Sequence, residues 1–463
     1  MTRIIVLILL IFVQPMFAWA ESGKPATNET IIHKNKSGKV TDVLMTSLDA
    51  VKLAGKLIEQ GDYEHATQIL TKMPQTDNLP VEIERWYLIA QIAQKQGDID
   101  TAIKIYRKLL DEQPDLAKVR YELAQCYMLQ HKWYRADYHL RLAMTGNDIP
   151  DFVKQAMMYD RYIVRQNKNW NVWFNFGVAP DNNINQVAGG EECVLYMGTM
   201  YCRQLPHPIS AVGYDFVLGG SYEFKLDQNW RWKSDANIYS TIYNLHDYDD
   251  LYFGASTGPR YVWANGDVWA AGTFSRRLYG WDGYNVSYGG KIDANYDISR
   301  KLSMGLLASV TDNIYDTKNM EYLDGQTYSL NPRVIYSFDA SKYAILRVGI
   351  SRENGMEPMS QDWRYNFGLG IGAELPWGFH IYAEPSIGWV NYDGPRWAIK
   401  NNVMTRITEH DMMQRYIVSL SNNKVDIWGF MPTLTFSYTR RDSNIPNRGY
   451  DKTALEFSMQ QRF

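Results

Sequence analysis

The sequence predicts two parts of different secondary structure: a short α-helical solenoid, then a transmembrane antiparallel β-barrel of about fourteen strands. Up to about residue 166 the apolar residues recur at helical spacing, and over residues 169–463 they alternate with polar residues. Such alternation gives each strand one apolar face and one polar face. The second part is also rich in Tyr and Trp, which favour the interfaces of a membrane barrel. The fold class is therefore α+β with two domains.

The first twenty residues, 1–20, have the features of a secretory signal peptide. Arg3 precedes an apolar run over residues 4–13, and the stretch ends in Ala18, Trp19 and Ala20. The run is too short to cross about 30 Å of hydrocarbon, so it does not predict an anchor helix. We expect cleavage after Ala20, which makes Glu21 the first residue of an exported chain. Since the residue directly after this site is Glu21 and not a cysteine, the protein itself is not expected to be a lipoprotein.

A repeat of about 34 residues lies in the helical part. Residues 21–41 are polar, and we interpret them as a flexible leader. Residues 42–166 then contain aligned alanines separated by 36 and 34 residues, with a proline after each of the first two units. This is the tetratricopeptide pattern, in which small residues allow two helices to cross closely. It predicts three helix pairs and a trailing helix over 149–165. The expected packing positions are Ala66, Ala102, Tyr106, Ala124, Tyr127 and Ala136.

The connections between the predicted strands alternate in length. Strands of more than ten residues fit a tilted membrane strand better than a soluble sandwich. Short turns at one end and long loops at the other are typical of outer-membrane barrels. The short connections are 227–229, 264–266, 299–301, 339–341, 376–378 and 421–423. The long ones are about 179–210, 244–249, 278–284, 312–326, 352–362, 391–410 and 441–449.

The final stretch, TALEFSMQQRF, alternates as a strand and is expected to close against the first strand near Trp170, because a membrane barrel leaves no open edge. The terminal Phe463 is then expected at the periplasmic rim. Since the first strand follows the helical domain, the short turns are expected in the periplasm and the long loops outside. Pro432 lies on the apolar face of one strand, where it predicts a local bulge. That strand is expected to include Trp428 and Gly429.

The charge distribution argues against a nucleic-acid surface and against a pore lined by one sign of charge. The formal net charge is −3 at pH 7, so no basic surface is indicated. The polar faces of the strands carry both signs, as at Glu223, Arg231 and Lys291. We interpret them as paired charges in a hydrated interior, and a structural role is favoured over a transport path for each of them.

The order of these parts resembles the Slam family, the surface lipoprotein assembly modulators. The stretch FGVAPDNNIN at 176–185 is similar to that family's aromatic–Gly pair followed by an Asp/Asn-rich signature. The resemblance covers nearly the whole chain and rests mainly on architecture. It implies an outer-membrane protein that moves lipidated or soluble partner proteins to the cell surface. The family also includes NilB, a barrel tied to colonisation of an invertebrate host, and the size and short helical domain suit such a member.

Two stretches are candidate partner-binding loops. The asparagines of the first stretch either cap the first strand as a turn, which we favour for the individual residues, or form a recognition loop. The second stretch, 391–410, contains residue types that anchor interfaces; a lid that only closes the pore is the alternative. The candidate residues are Asn182, Asn183 and Asn185 in the first stretch, and Arg396, Trp397, Met404 and Arg406 in the second.

Catalysis and metal binding find little support in the sequence. A barrel hydrolase needs a nucleophile with a positioned histidine, and the histidines are scattered over separate loops and strands. No His/Cys cluster has metal-ligand spacing. We therefore expect no enzyme activity, no metal and no cofactor.

The three cysteines predict one disulfide bond. Cys193 and Cys202 lie nine residues apart in the first long loop, and Cys126 lies in a tetratricopeptide helix. An exported chain meets an oxidising compartment, where two nearby exposed thiols pair. We predict a Cys193–Cys202 bond and a free, buried Cys126. The bond is expected to hold residues 194–201 as a hairpin that touches a partner or plugs the lumen; a thiol pair without consequence is the alternative.

Two function classes remain. The first is an outer-membrane translocator that receives cargo on its helical domain, and the alternative is a surface interaction protein whose loops mediate host association. An adhesin or a plain porin would not need the helical domain. The expected partners are a secreted protein or surface lipoprotein and outer-membrane lipids, with the barrel-assembly machinery and a host surface as further candidates. No nucleic acid is expected, and the protein is expected to be a monomer.

Overall fold

The computed structural model describes residues 29–33, 42–146, 149–422, 424–425 and 430–461. The predicted cleavage site at Ala20 and Glu21, the strand residues Trp428 and Gly429, and the terminal Phe463 lie outside these ranges. The chain divides into two compact units, residues 1–98 and residues 99–463. None of the described helices is long and apolar enough to cross a membrane.

The described residues of the first unit form a strand pair and three helices. Strands β1 (Glu29–His33) and β2 (Asp42–Thr46) pair antiparallel, so part of the stretch predicted as a flexible leader is ordered. Its two consecutive isoleucines favour a strand. The helices are α1 (Ser47–Glu59), α2 (Tyr63–Lys72) and α3 (Leu79–Lys95). The Asp49 backbone N–H donates to the Thr46 hydroxyl at 3.2 Å, which caps α1.

The second unit begins with four helices that continue the repeat. They are α4 (Ile99–Glu112), α5 (Ala117–Leu129), α6 (Trp133–Ala143) and α7 (Asp151–Asn167). The two units together contain seven described helices, the number that three predicted helix pairs and a trailing helix require. The small and aromatic side chains at the repeat positions are buried: Ala66, Ala102, Tyr106, Ala124, Tyr127 and Ala136.

Fourteen strands then form a closed antiparallel barrel, as the alternation predicted. Each strand pairs with its neighbours in the barrel, and the last strand closes against the first. The strands are β3 (Trp170–Asp181), β6 (Ala211–Lys225), β7 (Trp230–Tyr243), β8 (Asp250–Trp263), β9 (Gly266–Tyr279), β10 (Asp282–Asp297), β11 (Leu302–Tyr315), β12 (Gly325–Ser337), β13 (Lys342–Gly355), β14 (Gln361–Glu374), β15 (Phe379–Lys400), β16 (Val403–Asn422), β17 (Phe430–Ser443) and β18 (Tyr450–Gln461). A separate hairpin, β4 (Glu191–Tyr196) with β5 (Thr199–Gln204), lies between β3 and β6.

The barrel faces follow the predicted parity. Phe176, Leu434 and Phe457 point outward and are 41%, 43% and 52% exposed, as expected of side chains that face lipid. The opposite parity fills part of the interior. The Trp173 ring, for example, lies so close to Gly219 that a Cβ there would stand 2.3 Å from a ring atom. Large side chains on one strand therefore lie across glycines on the next.

Several predicted connections differ from the structure. The stretch 391–410 is not a loop, because β15 and β16 run through it to a two-residue turn at Asn401 and Asn402, with φ of 52° and 64°. Asparagine tolerates this left-handed conformation, which suits a tight hairpin. The stretch 278–284 is likewise a short turn between β9 and β10. Polar residues at the ends of these hairpins had suggested loops, but the paired strands extend through them.

The bulge predicted at Pro432 is wrong. The β17–β18 register runs without a shift through the pair of Pro432 with Met459. On the other side of β17, the described β16–β17 ladder ends at the pair of Ser421 with Thr433, the residue that follows Pro432. Pro432 therefore stands just beyond that ladder, where no described ladder bond needs its missing N–H.

Candidate functional site

The candidate site is the end of the barrel that carries the short turns, where helices of the second unit contact the strand ends. The Arg120 side chain, on α5, is fully buried and donates to Glu374 Oε2 at 2.6 Å. Its guanidinium also donates to the Pro114 carbonyl at 2.6 and 3.0 Å. Glu374 is the last residue of β14 and accepts a second hydrogen bond from the Tyr138 hydroxyl on α6. One carboxylate thus binds two helices to the barrel.

A second carboxylate binds α7 in the same way. Asp297, the last residue of β10, accepts hydrogen bonds from Arg161 at 2.5 Å and from Arg165. Arg165 also donates to the Ala264 carbonyl at 2.7 Å, in the turn between β8 and β9. These charges are largely buried, and removing one partner of a buried ion pair typically costs about 3–5 kcal/mol. We call Glu374 and Asp297 the two carboxylate anchors.

The helices are also tied to one another beside these anchors. Asp137 on α6 accepts from Lys168 at 2.6 Å and from Arg161 at 3.2 Å. Burial by itself would raise the pKa of Asp137, but the charges of Lys168 and Arg161 hold it well below its usual range. Arg161 therefore joins α6, α7 and β10, so that the helices and the strand end form one network.

The barrel interior meets α7 through a third contact. Arg231, an inward residue of β7, is fully buried and donates to the Gln166 carbonyl at 2.8 Å. Glu223 on β6 accepts from Arg260 at 2.6 and 2.7 Å, and its Oε2 lies 3.8 Å from Arg231 Nε. These inward charges are paired among β6, β7 and β8, as the mixed signs in the sequence predicted.

A cavity of about 610 Å³ remains between the helices and the barrel interior. Arg107 and Arg141 line it from the helices, and Tyr343 and Arg347 line it from the strands. His139 also faces this region; burial, and then the neighbouring arginines, hold its pKa well below its usual range. Most of the charged side chains on its helical side are therefore cationic.

The opposite end of the barrel carries the disulfide hairpin. Cys193 and Cys202 are bonded and face each other across β4 and β5, so the predicted disulfide is confirmed. Cys126 is free and buried in α5. The Leu195 backbone N–H donates to the Asn402 carbonyl at 2.7 Å, which joins the hairpin to the turn between β15 and β16. The tip of the disulfide hairpin is apolar and exposed, and its Met197 side chain is 87% exposed.

The residues predicted in 391–410 divide into two groups. Trp397 and Met404 are 69% and 51% exposed, and Arg406 pairs in register with Trp397. Arg396 instead turns to the interior: its Nε lies 3.0 Å from Glu409, a fully buried carboxylate, and it donates to the Met359 carbonyl at 2.7 Å. Arg396 therefore stabilises the hairpin, whereas the other three are available at its surface.

The predicted asparagines lie at the same end and form hydrogen bonds within the chain. Asn183 is 2% exposed and donates to the Val187 carbonyl at 2.9 Å. Asn185 donates to the His207 carbonyl at 2.8 Å and accepts from the Ile209 N–H at 2.9 Å. The Asn183 contact lies within a turn, whereas the Asn185 contacts join this stretch to residues 207–209. A recognition role for these asparagines remains a prediction.

Sequence reasoning missed both carboxylate anchors and their arginines. Each anchor is an acidic residue at the last position of a strand, followed within a few residues by a short turn. An acidic residue at the end of a strand is expected at the rim of the barrel, but its position does not identify its ion-pair partner. The partners lie on helices far away in sequence.

Comparison with known proteins decides the family. The family model described as "Surface lipoprotein assembly modifier" matches residues 170–463, the whole barrel. The model for that family's N-terminal tetratricopeptide repeats matches residues 51–140.

The chain belongs to the surface lipoprotein assembly modifier family.

Relatives of known description agree with this assignment. A surface lipoprotein assembly modifier of Pasteurella multocida is 21% identical over 81% of this chain and 75% of its own length. Surface lipoprotein assembly modifier 2 of Haemophilus influenzae is 20% identical over 95% of this chain and 94% of its own. Among solved structures, a Pseudomonas aeruginosa FadL homologue matches with a TM-score of 0.36 and 8% identity, over 71% of this chain and 93% of that one.

Membership confirms the resemblance and the fold. The two family models match residues 51–140 of the helical repeats and residues 170–463 of the closed fourteen-stranded barrel, and the barrel places the protein in the outer membrane. A NilB-like character remains a prediction.

Proposed function

We propose that the protein moves a lipoprotein or secreted partner protein from the periplasm to the cell surface. Its helical domain receives this cargo, and the barrel provides the route across the outer membrane. Membership of a family named for surface lipoprotein assembly supports the cargo class. A transport-type protein, rather than an enzyme, fits both the family and the barrel.

The observation that carries the proposal is the attachment of helices to the barrel end by the two carboxylate anchors. Arg120 contacts Glu374, and Arg161 and Arg165 contact Asp297. A tetratricopeptide domain presents a concave surface suited to a protein segment. Holding α5–α7 at the barrel end delivers such a segment to the barrel instead of leaving it on a free tether. In this arrangement the helices lie in the periplasm and the disulfide hairpin lies outside the cell.

The side chains that fill the barrel interior limit the path that cargo can take across the membrane. Inward side chains such as Trp173 and Arg231 occupy the barrel, and α7 contacts the interior directly. A polypeptide that passes along the axis would have to displace them. Movement of the helices, or passage along the barrel wall, avoids that cost.

Surface staining of intact cells tests the proposal. The protein is co-expressed with a lipoprotein encoded in a neighbouring reading frame, and cargo at the surface is measured by antibody labelling. Cargo should reach the surface only when the protein is present. Equal labelling without the protein would contradict the proposal.

A truncated barrel tests the role of the helices. Removal of residues 42–165 should leave a barrel that inserts into the outer membrane, with heat-modifiable migration as the control for folding. Surface labelling of cargo should fall sharply. Undiminished labelling would reduce the helices to a scaffold.

The disulfide hairpin favours a second candidate function, contact with a host or partner surface. Its tip carries exposed apolar side chains, and it is joined to the turn at Asn402. If this function is the correct one, loss of the hairpin should abolish adhesion of whole cells while surface labelling of the lipoprotein stays unchanged. Loss of labelling favours export.

A further inference from the structure

The cavity between α4–α6 and the barrel interior is large enough for a ligand. Its volume of about 610 Å³ lies within the range of about 300–1,000 Å³ that is usual for ligand pockets. Its described lining combines charges and aromatic hydroxyl groups with apolar side chains. The apolar members are Leu110, Leu123, Ile345 and Met431. A ligand of this cavity should therefore have both a polar part and an apolar part.

Most of the charges that line the cavity are already paired. Glu374 is the ion-pair partner of Arg120. Asp137 is held in the same way by Lys168. On the strand side, Arg347 of β13 is paired with a carboxylate of β15. These pairs hold the helices and strands in place and leave little charge over for a ligand.

The charges of α4 lie at the side of the cavity that faces a short turn of the barrel. Asp111 Oδ1 lies 3.2 Å from the point at which a Cβ of Gly378 would stand. Burial raises the pKa of Asp111 to about 6, although the charges of Lys424 and Arg107 act in the opposite direction. Asp111 thus has cationic neighbours of its own at this side.

Arg141, on α6, lines the cavity without a counter-ion. The described residues offer its guanidinium neither a hydrogen bond nor an ion pair. Burial raises the pKa of Asp137, and three cations lower it, in the order Lys168, Arg161 and Arg141. Arg141 is therefore near Asp137, but the first two cations bind that carboxylate. Since a guanidinium carries five N–H donors, Arg141 can bind an added acceptor.

Two further lining residues carry polar atoms without a partner. His139 is 7% exposed and Thr433 is 4% exposed. Within the described part of the chain, neither His139 Nδ1 nor the Thr433 hydroxyl has a hydrogen-bond partner. Buried polar atoms are nearly always hydrogen-bonded, so these two require an explanation. They belong to opposite walls of the cavity, α6 and β17, and a polar ligand between the walls would supply partners.

The class of ligand follows from these groups. Because the cation without a counter-ion is Arg141, the polar part of the ligand should be anionic. A carboxylate matches a guanidinium with two parallel N–H···O bonds. The apolar lining is not used by a bare inorganic ion, whereas an acidic polypeptide segment with apolar neighbours uses both parts of the cavity.

We propose that the cavity binds an acidic segment of the translocated protein, and that Arg141 pairs with a carboxylate of that segment. The translocated protein as the source of the segment rests on the proposed export function, whereas the preference for a carboxylate does not. Arg141 then selects among the polypeptides that reach the barrel end.

Peptide binding to the full-length protein in nanodiscs of zwitterionic lipid tests the site without any cargo. The probe is a fluorescent peptide of alternating Glu and Leu, blocked at both ends, and its counterpart has Gln in place of Glu. The Glu peptide should bind about tenfold more tightly, because it alone forms charge-assisted bonds. Equal affinities would overturn the proposal, as would binding of inorganic phosphate without binding of the Glu peptide.

Substitutions test whether Arg141 recognises the peptide. Arg141→Gln should weaken binding of the Glu peptide about tenfold, and Thr433→Val should weaken it about threefold. Proteolysis of α4–α6 should be unchanged in Arg141→Gln, because no described bond is lost. The matched control is Arg135→Gln, the same change on the same helix at a residue outside the described lining. Equal loss of affinity in the two arginine variants, or no loss in Arg141→Gln, would overturn the proposal.

Display of the lipoprotein on intact cells tests the source of the segment. Arg141→Gln should reduce surface labelling about tenfold, whereas Arg135→Gln should leave it unchanged. Undiminished display from Arg141→Gln would overturn the assignment of the cavity to the translocated protein. If the wild-type protein displays no cargo at all, the export function fails, and the peptide measurements alone decide whether the cavity takes a carboxylate.

Discussion

Replacement of Glu374 by Gln should release α5 and α6 from the barrel end. The change keeps the shape of the side chain but removes the charge that faces Arg120, which is fully buried. Two hydrogen bonds to the carboxylate are affected, one from Arg120 and one from Tyr138. Hydrogen bonds to charged groups contribute about 1.5–3 kcal/mol each. Since Gln still accepts one of them and Arg120 keeps the Pro114 carbonyl, we expect a net loss of about 3 kcal/mol.

A loss of about 3 kcal/mol corresponds to a change of roughly 150-fold in the equilibrium for undocking. Hydrogen exchange of the full-length protein in nanodiscs measures it, through peptides that cover residues 117–143. The matched control is Glu353→Gln, which removes a carboxylate paired with Arg364 on the barrel strands and not with a helix. It should leave exchange in these peptides unchanged.

A second substitution separates charge from shape. Arg120→Met combined with Glu374→Gln removes the buried charge as well as its partner, so the pair should be less destabilised than the sum of the single changes. If exchange over residues 117–143 is the same in Glu374→Gln as in the wild type, Glu374 does not hold the helices and the reasoning fails.

Three further outcomes are expected. The Cys193→Ser/Cys202→Ser variant should keep the heat-modifiable migration of a folded barrel but lose surface function. The disulfide bond restrains only the hairpin, by limiting its unfolded state by about 2–3 kcal/mol. A variant without heat-modifiable migration would contradict this. The free energy of unfolding of the second-unit helices should fall by about 1.4 kcal/mol for each pH unit below about pH 6.5. Burial, and then Arg120, keep the His139 ring neutral in the folded protein, whereas the ring of the unfolded chain takes up a proton. Proteolysis of α4–α6 at several pH values measures this slope, and His139→Leu should flatten it. Cys126 should resist thiol reagents in the folded protein, because burial raises its pKa to about 12; rapid labelling would refute its burial.

Much of the fold could be predicted because it depends on the spacing of apolar residues along each helix and strand. The two-residue period assigned the outward faces, since Phe176 and Phe457 must share the lipid-facing side for the barrel to close. The small residues Ala66, Ala102 and Ala136 marked the helix crossings in the same way. Such patterns are repeated in every element, so one misplaced boundary does not alter the architecture.

The lengths of the hairpins could not be predicted in this way. Between β15 and β16, the polar residues suggested a loop, although Asn401 and Asn402 were the signal of a tight turn. Where a hairpin extends beyond the membrane, both its faces meet water and the alternation weakens. The ladder then continues without an apolar signature.

The contacts at the barrel end depend on residues that are distant in sequence. Arg120 and Glu374 lie 254 positions apart, and Arg165 and Asp297 lie 132 apart. No local period relates them, and an arginine on a helix surface is most often solvated. Turn chemistry at Asn182 and Asn183 was predicted, but the hydrogen bonds of these residues with Thr453 and Asp451 on β18 were not.

The position of the two carboxylate anchors also sets an order of assembly. The helices are made first, yet Arg120 and Arg165 cannot meet Glu374 and Asp297 until β14 and β10 have been synthesised and brought into the barrel. Glu374 becomes available later than Asp297, because it lies four strands further along the chain. Docking of α7 can thus precede that of α5 and α6, and the complete contact forms only after ten of the fourteen barrel strands are in place. The attached helices therefore report that the barrel has formed as far as β14.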